Sequence, residues 1–111
     1  MSQATNTVPE RLLRHVVLFG FKPSATGEDI RQVEAAFARL PEQIEAIYDF
    51  EWGTDVSVEN AARGYTHCFF VTFRSEADRD AYLPHPDHKA FGAALRPHLE
   101  QSLVLDYWTQ R

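Results

Sequence analysis

The residues of this chain with the clearest chemical potential surround a short turn that is rich in proline. The segment reads Tyr82-Leu-Pro-His85-Pro-Asp-His88. Two prolines in three residues stiffen the turn, so it can hold Tyr82 against His88. A helix N-terminus disfavours a positive charge, which favours a neutral His88 that can act as a general base. The Tyr82 hydroxyl can donate to an oxyanion that develops on a substrate carbonyl. An equally open alternative is that His88 packs or caps a helix and Tyr82 fills the core.

Two further histidines, His15 and His67, lie in stretches with high β propensity. Strand alternation places both on inward faces. The first and third strands, which carry them, are expected to be neighbours in the sheet, so both imidazoles could enter one cavity. Taken singly, each is more simply a core histidine that is held by a hydrogen-bond partner, because buried polar groups are usually paired.

The sequence offers little to a metal ion or a cofactor. His85 and His88 have an H-x-x-H spacing but no third ligand nearby, and Asp87 is expected to cap a helix. The single cysteine, Cys68, excludes an internal disulfide and any zinc site with several cysteines. No glycine-rich phosphate loop is present. We therefore expect neither a metal nor a cofactor.

The charge balance and the hydropathy pattern limit the kinds of partner that the protein can bind. The chain has 111 residues, with 16 acidic and 11 basic side chains and a net charge of −5. A basic face for nucleic acid or anionic membrane is not expected. The apolar runs are too short to span a bilayer, and the N-terminus lacks the apolar centre of a signal peptide. We expect a cytoplasmic protein with a loose tail, residues 1–11, and one domain, residues 12–111.

The elements that must position these residues follow the order β-α-β-β-α-β. Strands are predicted over residues 12–21, 47–53, 65–73 and 103–108. The first helix begins at a capping box on Thr26 and ends at Pro41, and the second begins at Ser75. A third helix capped by Asp87 is predicted to reach about residue 100, with Pro97 kinking or splitting it. This order is the split βαβ, or ferredoxin-like, pattern of the α+β class.

Both faces of the predicted sheet are apolar. His15, Val17, Phe19 and Phe21 alternate with Val16 and Leu18 along the first strand. A four-stranded sheet with helices on one side would show polar residues on the other. Because the chain has no spare element to cover that second face, we expect a homodimer with twofold symmetry. The alternatives to a homodimer are a monomer with an exposed apolar face and a complex with a different protein.

Four segments resemble the stress-responsive A/B barrel (Dabb) domain family. They are RHVVLFGFKP from Arg14, GYTH from Gly64, YLPHPDH from Tyr82 and LDY from Leu105. The resemblance extends from about Leu12 to Tyr107. It implies a dimeric α+β barrel in which two ferredoxin-like sheets face each other.

The resemblance also implies roles for individual residues. The best understood member of the family is a plant polyketide cyclase that performs an intramolecular aldol condensation with a tyrosine and a histidine. By that likeness, His88 removes a proton next to a carbonyl, and Tyr82 orients or stabilises the enolate. His15 and His67 would position the polar end of the ligand. Glu34 and Phe69 stand where the cyclase has an aromatic residue and a valine, which predicts a smaller or differently shaped cavity.

The ligand expected in such a cavity is small and either apolar or carbonyl-containing. Apolar side chains on the inward faces would contact it, namely Val17, Phe19, Phe37, Phe69, Val71 and Phe91. Three functions remain open: a cofactor-free enzyme of the aldol, cyclase or isomerase type, a non-catalytic small-molecule-binding or stress-response module, and a structural dimer whose pocket is filled by aromatic side chains.

Overall fold

The structure is a computed structural model that describes residues 11–110. Its elements are β1 (Leu13–Phe21), α1 (Gly27–Gln43), β2 (Asp49–Thr54), β3 (His67–Phe73), α2 (Glu76–Tyr82), α3 (Pro86–Leu95), one turn of 3-10 helix (Arg96–His98) and β4 (Leu99–Trp108). The predicted ferredoxin-like order is confirmed. Residues 1–10 of the predicted tail lie outside the described residues.

The four strands form one antiparallel sheet in the order β2-β3-β1-β4. Strand β1 therefore lies between β3 and β4, and His15 has Val71 on one side and Asp106 on the other. The prediction that the first and third strands are neighbours is confirmed. This central position brings side chains from both halves of the sequence next to β1.

Helix α1 begins where the sequence predicts and ends later. The Thr26 hydroxyl accepts from the Asp29 N–H, and the Asp29 carboxylate accepts from the Thr26 N–H, both at 3.0 Å. The predicted end at Pro41 is wrong, since the helix reaches Gln43. Proline removes one N–H donor, but the Ile44 N–H still donates to the Leu40 carbonyl at 2.8 Å. Burial of those two side chains in the core holds the last turn in place.

The turn between α2 and α3 also differs in one detail from the prediction. Asp87 is not the cap of α3; the Nδ1 atom of His85 accepts from the Asp87 N–H at 3.1 Å. Pro86 occupies the first helical position, where its missing N–H costs nothing. Asp87 then lies in the first turn, where a carboxylate is stabilised by the helix dipole. The predicted break at Pro97 is confirmed, because the chain passes there into the single 3-10 turn.

Strand β4 is four residues longer than predicted because its start pairs with the end of β1. Gln101 lies opposite Gly20, and the register shifts between Gly20 and Phe21. A side chain at Gly20 would have its Cβ 2.6 Å from the carbonyl oxygen of Gly64, so glycine is required for this approach. The base of the β2–β3 loop is therefore packed directly on β1, and the Thr66 N–H donates to the Phe19 carbonyl at 2.9 Å.

The two faces of the sheet have different environments. The face that carries His15, Val17 and Phe19 packs against the helices and forms the core. The opposite face, which we call the open face, has no helix over it within residues 11–110. Its apolar side chains are half-buried or exposed, namely Val16, Leu18, Cys68, Phe70, Leu103, Leu105 and Tyr107. Within residues 11–110, no helix has both the length and the apolar composition that a bilayer crossing requires.

Candidate active site

The structure brings Tyr82 and His88 into ring contact across the proline-rich turn. Tyr82 is the last residue of α2, and His88 lies in the first turn of α3. Their ring centroids are 4.4 Å apart. Helix α2 ends at Tyr82 and α3 starts at Pro86, so only three residues separate the two helices. The short connection holds the phenol against the imidazole.

The tautomer of His88 follows from its backbone partner. Its Nδ1 atom lies 2.9 Å from the Leu83 carbonyl oxygen, and because a carbonyl only accepts, Nδ1 must carry the hydrogen. In the neutral ring, Nε2 is then the unprotonated nitrogen. Burial lowers the pKa of His88, and the neighbouring His15 and His85 lower it further, while the bond to Leu83 opposes them. His88 is therefore neutral near pH 7 and has a free basic nitrogen.

Tyr82 is fully buried and meets three other rings. His15 approaches it edge-on at 5.8 Å between centroids, and Phe73 lies at 5.1 Å. Burial raises the pKa of Tyr82 well above its ordinary value, so the phenol keeps its proton at neutral pH. A protonated phenol beside a neutral imidazole is one donor next to one acceptor.

His15 contacts the Tyr82 ring, and two residues that sequence reasoning missed, Asp106 and Arg79, lie behind it. Its Nδ1 atom is 2.7 Å from Oδ1 of Asp106, the residue directly opposite on β4. An Arg79 amino group donates to the other oxygen of Asp106 at 3.3 Å. Alternation along β4 was the available signal, because it places Asp106 on the inward face, opposite to Leu105 and Tyr107. We call His15, Tyr82, His88 and Asp106 the Tyr-His cluster.

His67 belongs to a separate group at the other end of the inward face. Its Nε2 atom is 2.7 Å from Oε2 of Glu34 on α1, and its Nδ1 atom is 2.9 Å from the Thr66 hydroxyl. An ionised carboxylate only accepts, so Nε2 carries the hydrogen. Both nitrogens of His67 thus have protein partners. Glu34 was singled out in the sequence only by its difference from the cyclase, and its contact with His67 was not foreseen.

The two inward histidines belong to separate hydrogen-bonded groups. His15 is four positions along β1 from Phe19, which lies opposite His67. At about 3.3 Å per residue the two backbones are about 13 Å apart. Between them lie Val17, Phe19 and Phe69, all buried. In this packing each imidazole has its own carboxylate partner, and a cavity common to both stays a prediction.

The six apolar residues predicted to contact a ligand all lie in the core. Phe37 and Phe69 stack in parallel with centroids 4.3 Å apart, and Phe91 meets Phe37 at 4.7 Å. The ring centroid of Phe19 lies 5.5 Å from that of Phe69 and 6.4 Å from that of Phe91. Val71 is fully buried. These side chains pack on one another in the region beyond the Tyr-His cluster.

The inner face of β4 is less well covered. Val104 lies opposite Val17 and next but one to Asp106, on the same face as the core, yet it is 54% exposed. The helices therefore leave a strip of β4 accessible beside His15.

Two cavities lie elsewhere on the molecule. A concavity of about 600 Å³ is bounded by the open face and the β2–β3 loop, with Leu18, Trp52, Phe70 and Leu103 among its lining residues. A small cavity of about 50 Å³ lies between α1 and α3. Neither is lined by Tyr82 or His88. In the described part of the chain, no three His, Cys, Asp or Glu side chains are grouped so that they could hold a metal ion.

Two curated plant proteins are similar to the chain over most of its length. One is the stress-response A/B barrel domain-containing protein HS1 of Arabidopsis thaliana, 39% identical over 95 residues that cover 86% of this chain and 87% of the relative. The other is olivetolic acid cyclase of Cannabis sativa, 34% identical over 95 residues that cover 86% and 94%.

Solved structures agree with the fold. Hydroxynitrile lyase from Passiflora edulis has a TM-score of 0.85 at 30% identity, covering 92% of this chain and 96% of its own. A protein of unknown function from Thermobifida fusca, described as dimeric and ferredoxin-like, has a TM-score of 0.77 at 27% identity, covering 92% and 95%. The model of the Stress Responsive A/B Barrel Domain matches residues 13–109. The chain therefore belongs to the stress-responsive A/B barrel (Dabb) family.

Proposed function

We propose that this protein is a cofactor-free acid–base catalyst that makes or breaks a bond next to a carbonyl carbon. The observation that supports this most directly is the contact between Tyr82 and His88, in which the Leu83 carbonyl fixes the histidine tautomer. A neutral imidazole with its Nε2 free can accept a proton, and a buried phenol can donate a hydrogen bond to the oxygen where negative charge develops.

The proposed step moves one proton and returns it. Nε2 of His88 takes a proton from the carbon next to a carbonyl, and the resulting enolate oxygen accepts a hydrogen bond from Tyr82. The enolate carbon then attacks a second carbonyl, and the new alkoxide takes the proton back from the His88 imidazolium. Asp106 accepts from His15 and holds that ring against Tyr82 throughout.

Two relatives have names that fit this chemistry. One relative is named as a cyclase and one structural neighbour as a hydroxynitrile lyase. Aldol ring closure and hydroxynitrile cleavage both require a proton to be moved near an oxygen that is, or becomes, a carbonyl oxygen. In cyanohydrin cleavage the base takes the hydroxyl proton, the bond to cyanide breaks, and the leaving cyanide receives the proton. The same pair of groups suffices for both reactions, which supports the reaction class without fixing the substrate.

A second candidate is a small-molecule-binding module without turnover. The observation that favours it is that the concavity of about 600 Å³ is lined by neither Tyr82 nor His88. Its size is within the range of ligand pockets, and its lining is largely apolar. A ligand held there would not reach the Tyr-His cluster.

We also propose that the protein is a homodimer that pairs through the open face. Leu103, Leu105 and Tyr107 on this face are 44, 59 and 43% exposed. Contiguous exposed apolar patches of this kind mark interfaces. Several structural neighbours with the same fold are described as dimeric.

The test of catalysis uses His88→Ala and Tyr82→Phe, with His98→Gln, at the small cavity between α1 and α3, as a matched control. Exchange of α-protons for deuterium in a panel of short ketones is followed by NMR, and cleavage of an aromatic cyanohydrin is followed by the absorbance of the aldehyde. Loss of a general base lowers the rate about 10²–10⁴-fold, and loss of an oxyanion donor about 10²–10³-fold.

The control is expected to keep full activity. Full activity in His88→Ala would contradict the assignment of the base. Binding of panel members by the wild type without any exchange or cleavage would favour the binding module.

A further inference from the structure

The β2–β3 loop, residues 55–66, presents two valine side chains to solvent. Val56 is 88% exposed and Val58 is 94% exposed, more than any other large apolar residue in the described part of the chain. A single exposed apolar residue needs no explanation. Two exposed valines on one loop beside an apolar surface do need an explanation. Burying them would be favourable, and a single copy of the chain leaves them exposed.

The loop has a defined shape that holds the valines outward. The Ser57 N–H donates to a carboxylate oxygen of Asp55 at 3.0 Å, and the Asp55 N–H donates to the Thr66 carbonyl at 2.9 Å. At the other end, the Gln101 side chain donates to the Arg63 carbonyl at 2.7 Å. The backbone of the loop is thus tied to itself and to β4, so the valines do not fold back onto their own subunit.

The concavity beside the loop has an apolar floor. Leu18, Cys68, Phe70 and Leu103 form this floor, and they belong to the open face. Its volume of about 600 Å³ is more than two valine side chains need. The concavity is continuous with the surface through which we propose that the protein pairs, so a second copy placed there would lie over it.

We propose that in the homodimer the Val56–Val58 segment of each copy occupies the concavity of the other copy. Twofold symmetry makes the exchange reciprocal, so that one loop and one concavity on each chain give two identical contacts. The inference rests on the proposed homodimer and adds to it a specific element. The near-complete exposure of Val56 and Val58 shows that neither fills the concavity of its own chain.

A cross-link provides the test, because the native Cys68 lies in the floor of the concavity. In Val58→Cys, the introduced thiol of one copy is expected to reach Cys68 of the other, and a mild oxidant or a short bismaleimide then joins two chains. Burial, and to a lesser degree Glu51, raises the pKa of the Cys68 thiol, so the reaction is run at about pH 8.5. Glu59→Cys, on the same exposed loop, is the matched control. Val58→Cys combined with Cys68→Ser removes the target.

Chains with and without ¹⁵N label are mixed before cross-linking, and peptide mapping shows whether each link joins two different chains. The proposal predicts links between chains in Val58→Cys, with two per dimer, and none through the control position or without Cys68. Links confined to one chain, or a dimer in which Cys68 is never linked, would overturn it.

The homodimer itself is measured separately by light scattering on the wild-type protein. A wild-type dimer that lacks the cross-link refutes only the loop exchange, whereas a wild-type monomer refutes both proposals. As a second variant, Val56→Ser with Val58→Ser is expected to raise the dimer dissociation constant at least about 100-fold, since four valine side chains lose their apolar contacts. An unchanged dissociation constant would refute the exchange.

Discussion

The pair formed by Glu34 and His67 is expected to be energetically coupled, and a double-mutant cycle measures that coupling directly. The two side chains meet at 2.7 Å, and their exposed fractions are 22% and 7%. Glu34→Ala leaves the Nε2–H of His67, a side chain that is only 7% exposed, without its partner. An unsatisfied buried donor costs about 1–3 kcal/mol, and a hydrogen bond to a charged group contributes about 1.5–3 kcal/mol. We expect a coupling energy near 2 kcal/mol.

The cycle consists of the wild type, Glu34→Ala, His67→Ala and the double variant, each unfolded in urea. His67→Ala also loses the ring packing on Trp52 and Phe21, so the single effects are unequal and only the cycle isolates the pair. Glu34→Gln is the matched control, because its amide oxygen can still accept from Nε2 at nearly the same shape. We expect it to retain more than half of the free energy of unfolding that Glu34→Ala loses.

In thermal unfolding, Glu34→Ala is expected to lower Tm by about 8 °C, at about 4 °C per kcal/mol for a domain of this size. A coupling energy below about 0.5 kcal/mol would refute the reasoning. It would mean that water screens the pair as it screens an ordinary surface ion pair.

Three further results are expected. In an NMR titration, His88 should take up its proton below the ordinary histidine pKa of about 6.5, because burial lowers its pKa. The neutral, basic form then predominates at pH 6.5, and a titration midpoint at or above 6.5 would contradict this. Leu105→Glu should convert the dimer to a monomer by light scattering, while the exposed Lys89→Ala should leave it paired. Phe37→Ala should lower the free energy of unfolding by about 3–5 kcal/mol in urea, because it empties the centre of the aromatic core; a loss under 1 kcal/mol would show that the stack with Phe69 contributes little.

The sequence predicts the sheet well because a strand has a fixed period of two. Alternation alone assigns Val17 and Phe19 to the core and Leu103, Leu105 and Tyr107 to the open face, and the structure places them there. The cap at Thr26 is likewise local, since its hydrogen bonds join residues only three apart. Signals of this kind need no knowledge of the tertiary fold.

The missed features depend on contacts between distant segments. Asp106 meets His15 across 91 positions, and Glu34 meets His67 across 33, so each pair is defined only by strand register or by helix placement. Helix α1 continues past Pro41 because the core holds its last turn, which no local pattern reveals. For the Tyr-His cluster, local order predicts the contact between Tyr82 and His88 but not the Asp106 carboxylate behind His15.

Strand β4 lies at the border of the sheet, and among residues 11–110 only one of its sides is hydrogen-bonded to a neighbouring strand. A single copy of the chain thus combines a ten-residue edge strand with an exposed apolar surface. Such an edge is a template for aggregation. Truncating an apolar residue there, as in Leu105→Ala, would leave both liabilities and reduce the yield of soluble protein. A charged replacement at the same position would instead repel further copies of the chain. The yield of soluble protein and the extent of dimerisation must therefore be measured together when interface variants are compared.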